Sequence, residues 1–165
     1  MGIAANVLVG VAVLSVKYPV GGDYVECGYT EDGAVMEYSP DLADIEVAEE
    51  TFPIARVITK ENVSITANLL EATLDNMNKA FAGSILTTDS LTEDVITIGG
   101  GVIKEMSIKL VGKNPAGKDR TIEMPLATAV GAVAIPYKKG EKTVIPVKFG
   151  ALKGAAAPCT VSDAK

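Results

Sequence analysis

The chain has 165 residues, a net charge of −6 and a 48% hydrophobic share, with no tryptophan and no histidine. That length fits one domain that buries roughly two thirds of its unfolded surface, so neither a metal nor a disulfide is needed for folding. The absence of histidine removes the commonest general acid/base and a Ser-His-Asp or Cys-His site within one chain.

Cys27 and Cys159 form no CxxC pair and read as two free thiols. The charge is segregated. From Tyr18 to Ala55 there are ten acids and no Lys or Arg, whereas fourteen Lys and Arg follow from Arg56 onward. Such a pattern suits either a solvated acidic edge or an acidic surface of one copy meeting a basic surface of another.

The run Val7 to Val16 is too short to cross a bilayer, which takes about 20 residues, and no Lys or Arg precedes it. It reads as a strand with two apolar faces: Val7, Val9, Val11 and Val13 on one, Leu8, Ala12 and Leu14 on the other. Asp32-Gly33 then predicts a hairpin turn between strand-like runs. Ser39 to Phe52 is acidic and weakly periodic, which predicts an extended hairpin or arm. Arg56–Thr59 and Val63–Leu69 read as a strand pair broken at Glu61-Asn62. In the second, Val63, Ile65, Ala67 and Leu69 share one face.

Helical spacing of Leu74, Met77, Asn78 and Phe81 predicts one helix over 71–82, capped by Asn68 and stopped at Gly83, with Leu74, Met77 and Phe81 packed on a sheet. Beyond the polar loop Thr87 to Asp94, strands are predicted at Val95–Ile98, Lys104–Val111, Arg120–Leu126 and Val144–Leu152. Asn114 to Gly117 and Lys138 to Glu141 are turns. The tail from about 154 is small and polar and predicts loose order.

Candidate chemistry is thin. Gly99-Gly100-Gly101 lacks the Lys-Ser/Thr and the following helix of a phosphate loop. Glu46, Glu49 and Glu50 lack the spacing that wraps a calcium ion. A carboxylate-only hydrolase would want stacking aromatics, and only 5% of the chain is aromatic. The expectation is a protein that is no enzyme, binds no cofactor and holds no metal.

One resemblance stands beside these readings. The segment Asp44-Ile45-Glu46-Val47, Glu50-Thr51-Phe52-Pro53-Ile54 and Arg56 to Glu61, with the strand and helix after it, resembles the tail tube proteins of long-tailed bacteriophages. The ending Ile135 to Gly140 and Val144 to Leu152 resembles the last hairpin of that family. The resemblance implies a single mainly β domain over 1–165, a tail-tube-like β-sandwich or barrel with one flanking helix and a long inter-subunit loop or hairpin.

The implied function is structural: six copies close into a ring, and rings stack into a hollow tube through which DNA is ejected. Implied partners are other copies of the chain, tape-measure and tail-end proteins, and duplex DNA in passage, with no membrane. The implied location is the virion tail. Ile45, Val47, Phe52, Ile54 and Val57 are the inter-subunit arm candidates, because they need cover that one domain does not offer. Glu26, Glu31 and Glu37 are the candidates for an acidic lumen. A capsid decoration or adhesion-type sandwich module is the alternative.

Overall fold

The computed structural model describes residues 8, 10–89 and 91–165. Its elements are β1 (Val13–Lys17), β2 (Tyr24–Glu26), β3 (Thr30–Ile45), β4 (Ala55–Leu69), α1 (Leu74–Ala80), β5 (Ser84–Thr87), β6 (Val95–Ile98), β7 (Met106–Lys113), β8 (Asp119–Ala129), β9 (Ile145–Ala151) and β10 (Thr160–Asp163). Among the described residues the protein is mainly β with one flanking helix. The main sheet is antiparallel and runs β2-β1-β7-β8-β9-β4-β3, with β10 also paired to β8. Strands β5 and β6 form a separate ribbon.

The chain order forces this sheet to curl. Strands β2 and β3 are its two ends, yet only residues 27–29 connect them. Flat, those ends would lie about 29 Å apart at the usual strand spacing, whereas four residue steps reach about 14 Å. The connection is bonded to both sides. Cys27 N–H donates to Leu14 O (2.9 Å), and Leu70 N–H donates to Tyr29 O (2.9 Å). The result is an open barrel.

Its interior follows from alternation along each strand. Leu14, Val16, Ile108, Leu110, Met124, Ile65, Leu69 and Phe149 are buried. On its side away from β7, strand β8 serves two neighbours: Ala127–Ala129 pairs with β9, and Arg120–Glu123 pairs with β10. A register shift between Met106 and Ile108 lets Ala127 and Ala129 face inward after Met124.

Several expectations are corrected here. The two faces of β1 are covered unequally: Leu14 and Val16 are buried on one, while on the other Val11 and Val13 are exposed and Ser15 is buried. Val7 and Val9, and Ser90 in the polar loop, lie outside the described residues. Asp32 (φ 58°) and Gly33 (φ 79°) do take the positive φ that their pairing suggests. They form a bulge inside β3, between Glu31 and Ala34, instead of a turn between strands. Strand β4 runs unbroken through Glu61-Asn62, and the irregularity falls at Thr59, where Lys60 pairs with Asp41 and Ile58 with Leu42. The tail from Gly154 carries β10, fixed by an Arg120–Asp163 fork (2.6 and 2.8 Å).

The helix is shorter than 71–82. Asn68 is still in β4, opposite Pro146, so Thr73 caps the start by accepting from Asn76 N–H (3.2 Å). Phe81 is the C-cap, and Gly83 does not hold a positive φ. Of the three residues predicted to pack, Leu74 is exposed, Met77 packs against the core and Phe81 is only half-buried. The buried positions are Asn76, Asn78, Lys79 and Ala80. Asn76 explains why: its Nδ2 donates to Cys27 O (3.0 Å) and Glu71 O (2.9 Å). The helix is thus held by bonding to loop backbone as well as by apolar contact.

Candidate assembly surface

Strands β3 and β4 extend well past the barrel. Their pairing continues without interruption from Leu42–Ile58 to Ile45–Ala55, and Ile54 N–H closes the end on Ile45 O (2.9 Å). Beyond Ser39 on β3 and before Val63 on β4, no residue of the hairpin is buried. Three polar contacts along the projecting part hold it straight. Tyr38 donates to Glu61 (2.8 Å), Thr59 Oγ1 to Asp41 O (3.1 Å), and Arg56 forks onto Asp44.

This projection carries apolar side chains on both faces. Pairing and alternation put Leu42 and Ile58 on one side, and Ala43, Val57, Ile45 and Ala55 on the other. Leu42 is 52% exposed, Ile58 55% and Phe52, at the tip, 81%. All five arm candidates, Ile45, Val47, Phe52, Ile54 and Val57, lie on this hairpin and are exposed. Leu42 and Ile58 belong with them, and their alternation with Asp41 and Thr59 was the available signal. A two-stranded ribbon is marginal in water on its own, and contiguous exposed apolar patches are uncommon on monomeric proteins.

The three acids sit on strand surfaces, not together. Glu26 is on β2 opposite Ser15. Glu31 and Glu37 are on β3, at the other end of the sheet order, on the face away from Ile65 and Ala67. Both have basic neighbours: Glu31 Oε1 is 2.6 Å from Lys142 Nζ, and Glu37 Oε2 is 3.8 Å from Lys148 Nζ. The Glu31 carboxylate holds the Lys142 ammonium above its ordinary pKa.

The same outward face carries a ladder that sequence reasoning missed. Tyr24 OH donates to Glu123 (2.6 Å), and Lys17 and Lys109 lie 4.5 and 5.4 Å from its ring centroid. Burial and the Glu123 carboxylate both push the phenol upward. Only the register brings these four residues together, so no local spacing announces them.

At the root of the hairpin a cleft of about 490 Å³ is lined by Met36, Tyr38, Val63, Leu152, Cys159 and Val161. Its walls are mostly apolar, and burial raises the Cys159 thiol. Among the described residues no three His, Cys, Asp or Glu side chains come together as a metal site. Gly99 and Gly100 hold positive φ in the connection after β6, with no helix following. The chain matches no protein-family model and no curated protein sequence.

Proposed function

We propose that the chain is a structural subunit that assembles with copies of itself, in the manner of a bacteriophage tail tube protein. One observation carries the reading: a hairpin that projects beyond its own barrel with uncovered apolar residues on both faces. An arm of this kind is stable when a neighbouring copy covers it. The open sheet supports the same reading, because among the described residues strands β2 and β3 each leave one side unpaired. Unpaired edges invite strand addition, and a closed ring removes them.

In this reading six copies form a ring and rings stack into a tube whose channel passes duplex DNA. The tube ends meet tape-measure and tail-end proteins in the virion. Negative-stain electron microscopy of the purified protein is the test. Rings or tubes are the expected result. Isolated single-subunit particles at every concentration tried would overturn it.

A further inference from the structure

We infer that Lys104 and Asn78 form an intramolecular isopeptide bond, joining the end of α1 to the segment that follows β6. Their side chains meet in a buried site that the assembly reading does not use. Lys104 and Asn78 are 6% and 7% exposed. Lys104 Nζ lies 2.8 Å from Asn78 Oδ1 and 2.7 Å from Ser84 Oγ, and also contacts Asn78 O. Ser84 Oγ in turn lies 2.8 Å from Asn78 Oδ1. No carboxylate is among these hydrogen-bond partners.

The backbone holds the two groups in place. Lys104 N–H donates to Ala82 O (3.1 Å), just past the helix. Gly101 passes so close to Gly83 that a Cβ there would sit 2.6 Å from Gly83 O. Lys104 is thereby pinned against the helix end, and its amine has little freedom to leave. Holding reactants at contact distance removes much of the entropy cost of a bond-forming step.

The chemistry balances without a co-reactant. The lone pair of the neutral Lys104 amine adds to Cγ of Asn78. Hydrogen bonds to Oδ1 polarise that carbonyl, and Ser84 is placed to supply one. The bond from Cγ to Nδ2 then breaks. The nitrogen departs as ammonia, carrying away the proton that Nζ sheds. One amide replaces another, and nothing is oxidised or reduced.

Burial favours the neutral amine, pulling Lys104 down to about 8, against the carboxylate of Asp75, which holds it up. Asp75 is itself 2.6 Å from Lys79 Nζ, and the Tyr18 ring lies 6.0 Å from Lys104 Nζ. Bond formation therefore accelerates as pH rises through about 8.

Mass spectrometry of the purified chain tests this, before and after incubation at about pH 9. The expected product is lighter by one ammonia, and its digest contains a branched peptide joining the Asn78 and Lys104 segments. Lys104→Arg keeps a charge and a donor but should abolish the branched peptide. Full mass with linear peptides after incubation would overturn the proposal. So would ammonia loss with linear peptides only, which is succinimide formation at an asparagine. Both readouts come from the unaltered chain, so the proposal remains testable if the variant fails to fold.

Discussion

Asp44 and Arg56 face one another directly across the projecting hairpin, and the guanidinium grips both carboxylate oxygens, at 2.5 and 3.0 Å. The fork sits where no core supports the strands. Arg56 holds the Asp44 carboxyl below its ordinary value of 3.8. A depressed folded-state pKa adds stability that is complete above the unfolded value and is lost as pH falls through the folded one. Acidification below about pH 4 should therefore loosen the hairpin tip before the barrel. Amide exchange of Ile45 and Ala55, followed against Ile65, checks the order. Equal loss of protection at both places would count against it.

The arm reading separates assembly from folding. Phe52 is 81% exposed, and surface substitutions away from packed features usually shift stability by no more than about 0.5 kcal/mol. Phe52→Ser with Ile54→Ser should leave the thermal midpoint of the monomer nearly unchanged and abolish rings and tubes. Deleting Asp44 to Pro53 should leave a folded monomer that no longer polymerises. Tubes of normal length from either variant would remove the hairpin from the interface.

Two phenylalanines should differ sharply. Phe149 is fully buried, paired with Ile65 on one side and Ala129 on the other. Phe149→Ala should cost about 3–5 kcal/mol, from lost transfer energy and the cavity left behind. Phe81 is only half-buried at the helix end, so Phe81→Ala should fall well below that range. Chemical denaturation of the two variants checks the ranking.

The alternating strands were legible because their barrel-facing positions are apolar and the positions between them are mostly polar. Ile65, Ala67 and Leu69 are buried as their spacing predicts, as are Met106, Ile108 and Leu110. Asp32-Gly33 was legible as a backbone conformation and misleading as a turn. The residues dictate positive φ, but the long pairing of β3 with β4 decides that a bulge results. The helix was legible in existence, not in its buried face. Asn76 and Asn78 are buried because backbone and side-chain groups from Cys27, Glu71 and Ser84 satisfy them, and Cys27 lies far outside any helical window. The arm was visible as apolar residues in an acidic stretch. Its two-sided exposure depends on register, which periodicity alone does not fix.

Gly101 tests the packing of the segment beside the helix. An added Cβ would meet Gly83 backbone at 2.6 to 3.5 Å, and backbone cannot swing aside as a flexible side chain does. Gly101→Ala should destabilise the chain by about 1–3 kcal/mol, the range for overpacking. Gly99, with a positive φ and open space around its Cβ position, makes a useful contrast: a side chain there would be strained by its backbone conformation and not by contact with neighbouring atoms. A harmless Gly101→Ala would mean that the two segments separate easily.

The last prediction concerns DNA. A channel that passes a duplex should not hold it, because basic linings bind phosphates by counterion release and slow transit. The candidate lining acids are unequal. Glu31 and Glu37 have Lys142 and Lys148 beside them, so part of their field is cancelled at close range. Glu26 has no ion-pair partner among the described residues. If these positions line the channel, Glu26→Lys should add the most to DNA retention by assembled tubes. Glu37→Lys should follow, since it leaves Lys148 unpaired. Both effects should weaken steeply with salt, the mark of phosphate binding. Measurement is by co-sedimentation of tubes with short duplex DNA across a salt series. Unaltered tubes should leave the DNA in solution at about 0.15 M salt, where the Debye length is about 8 Å. Strong retention by unaltered tubes would count against an acidic channel. Tubes indifferent to Glu26→Lys would place that residue away from the lumen.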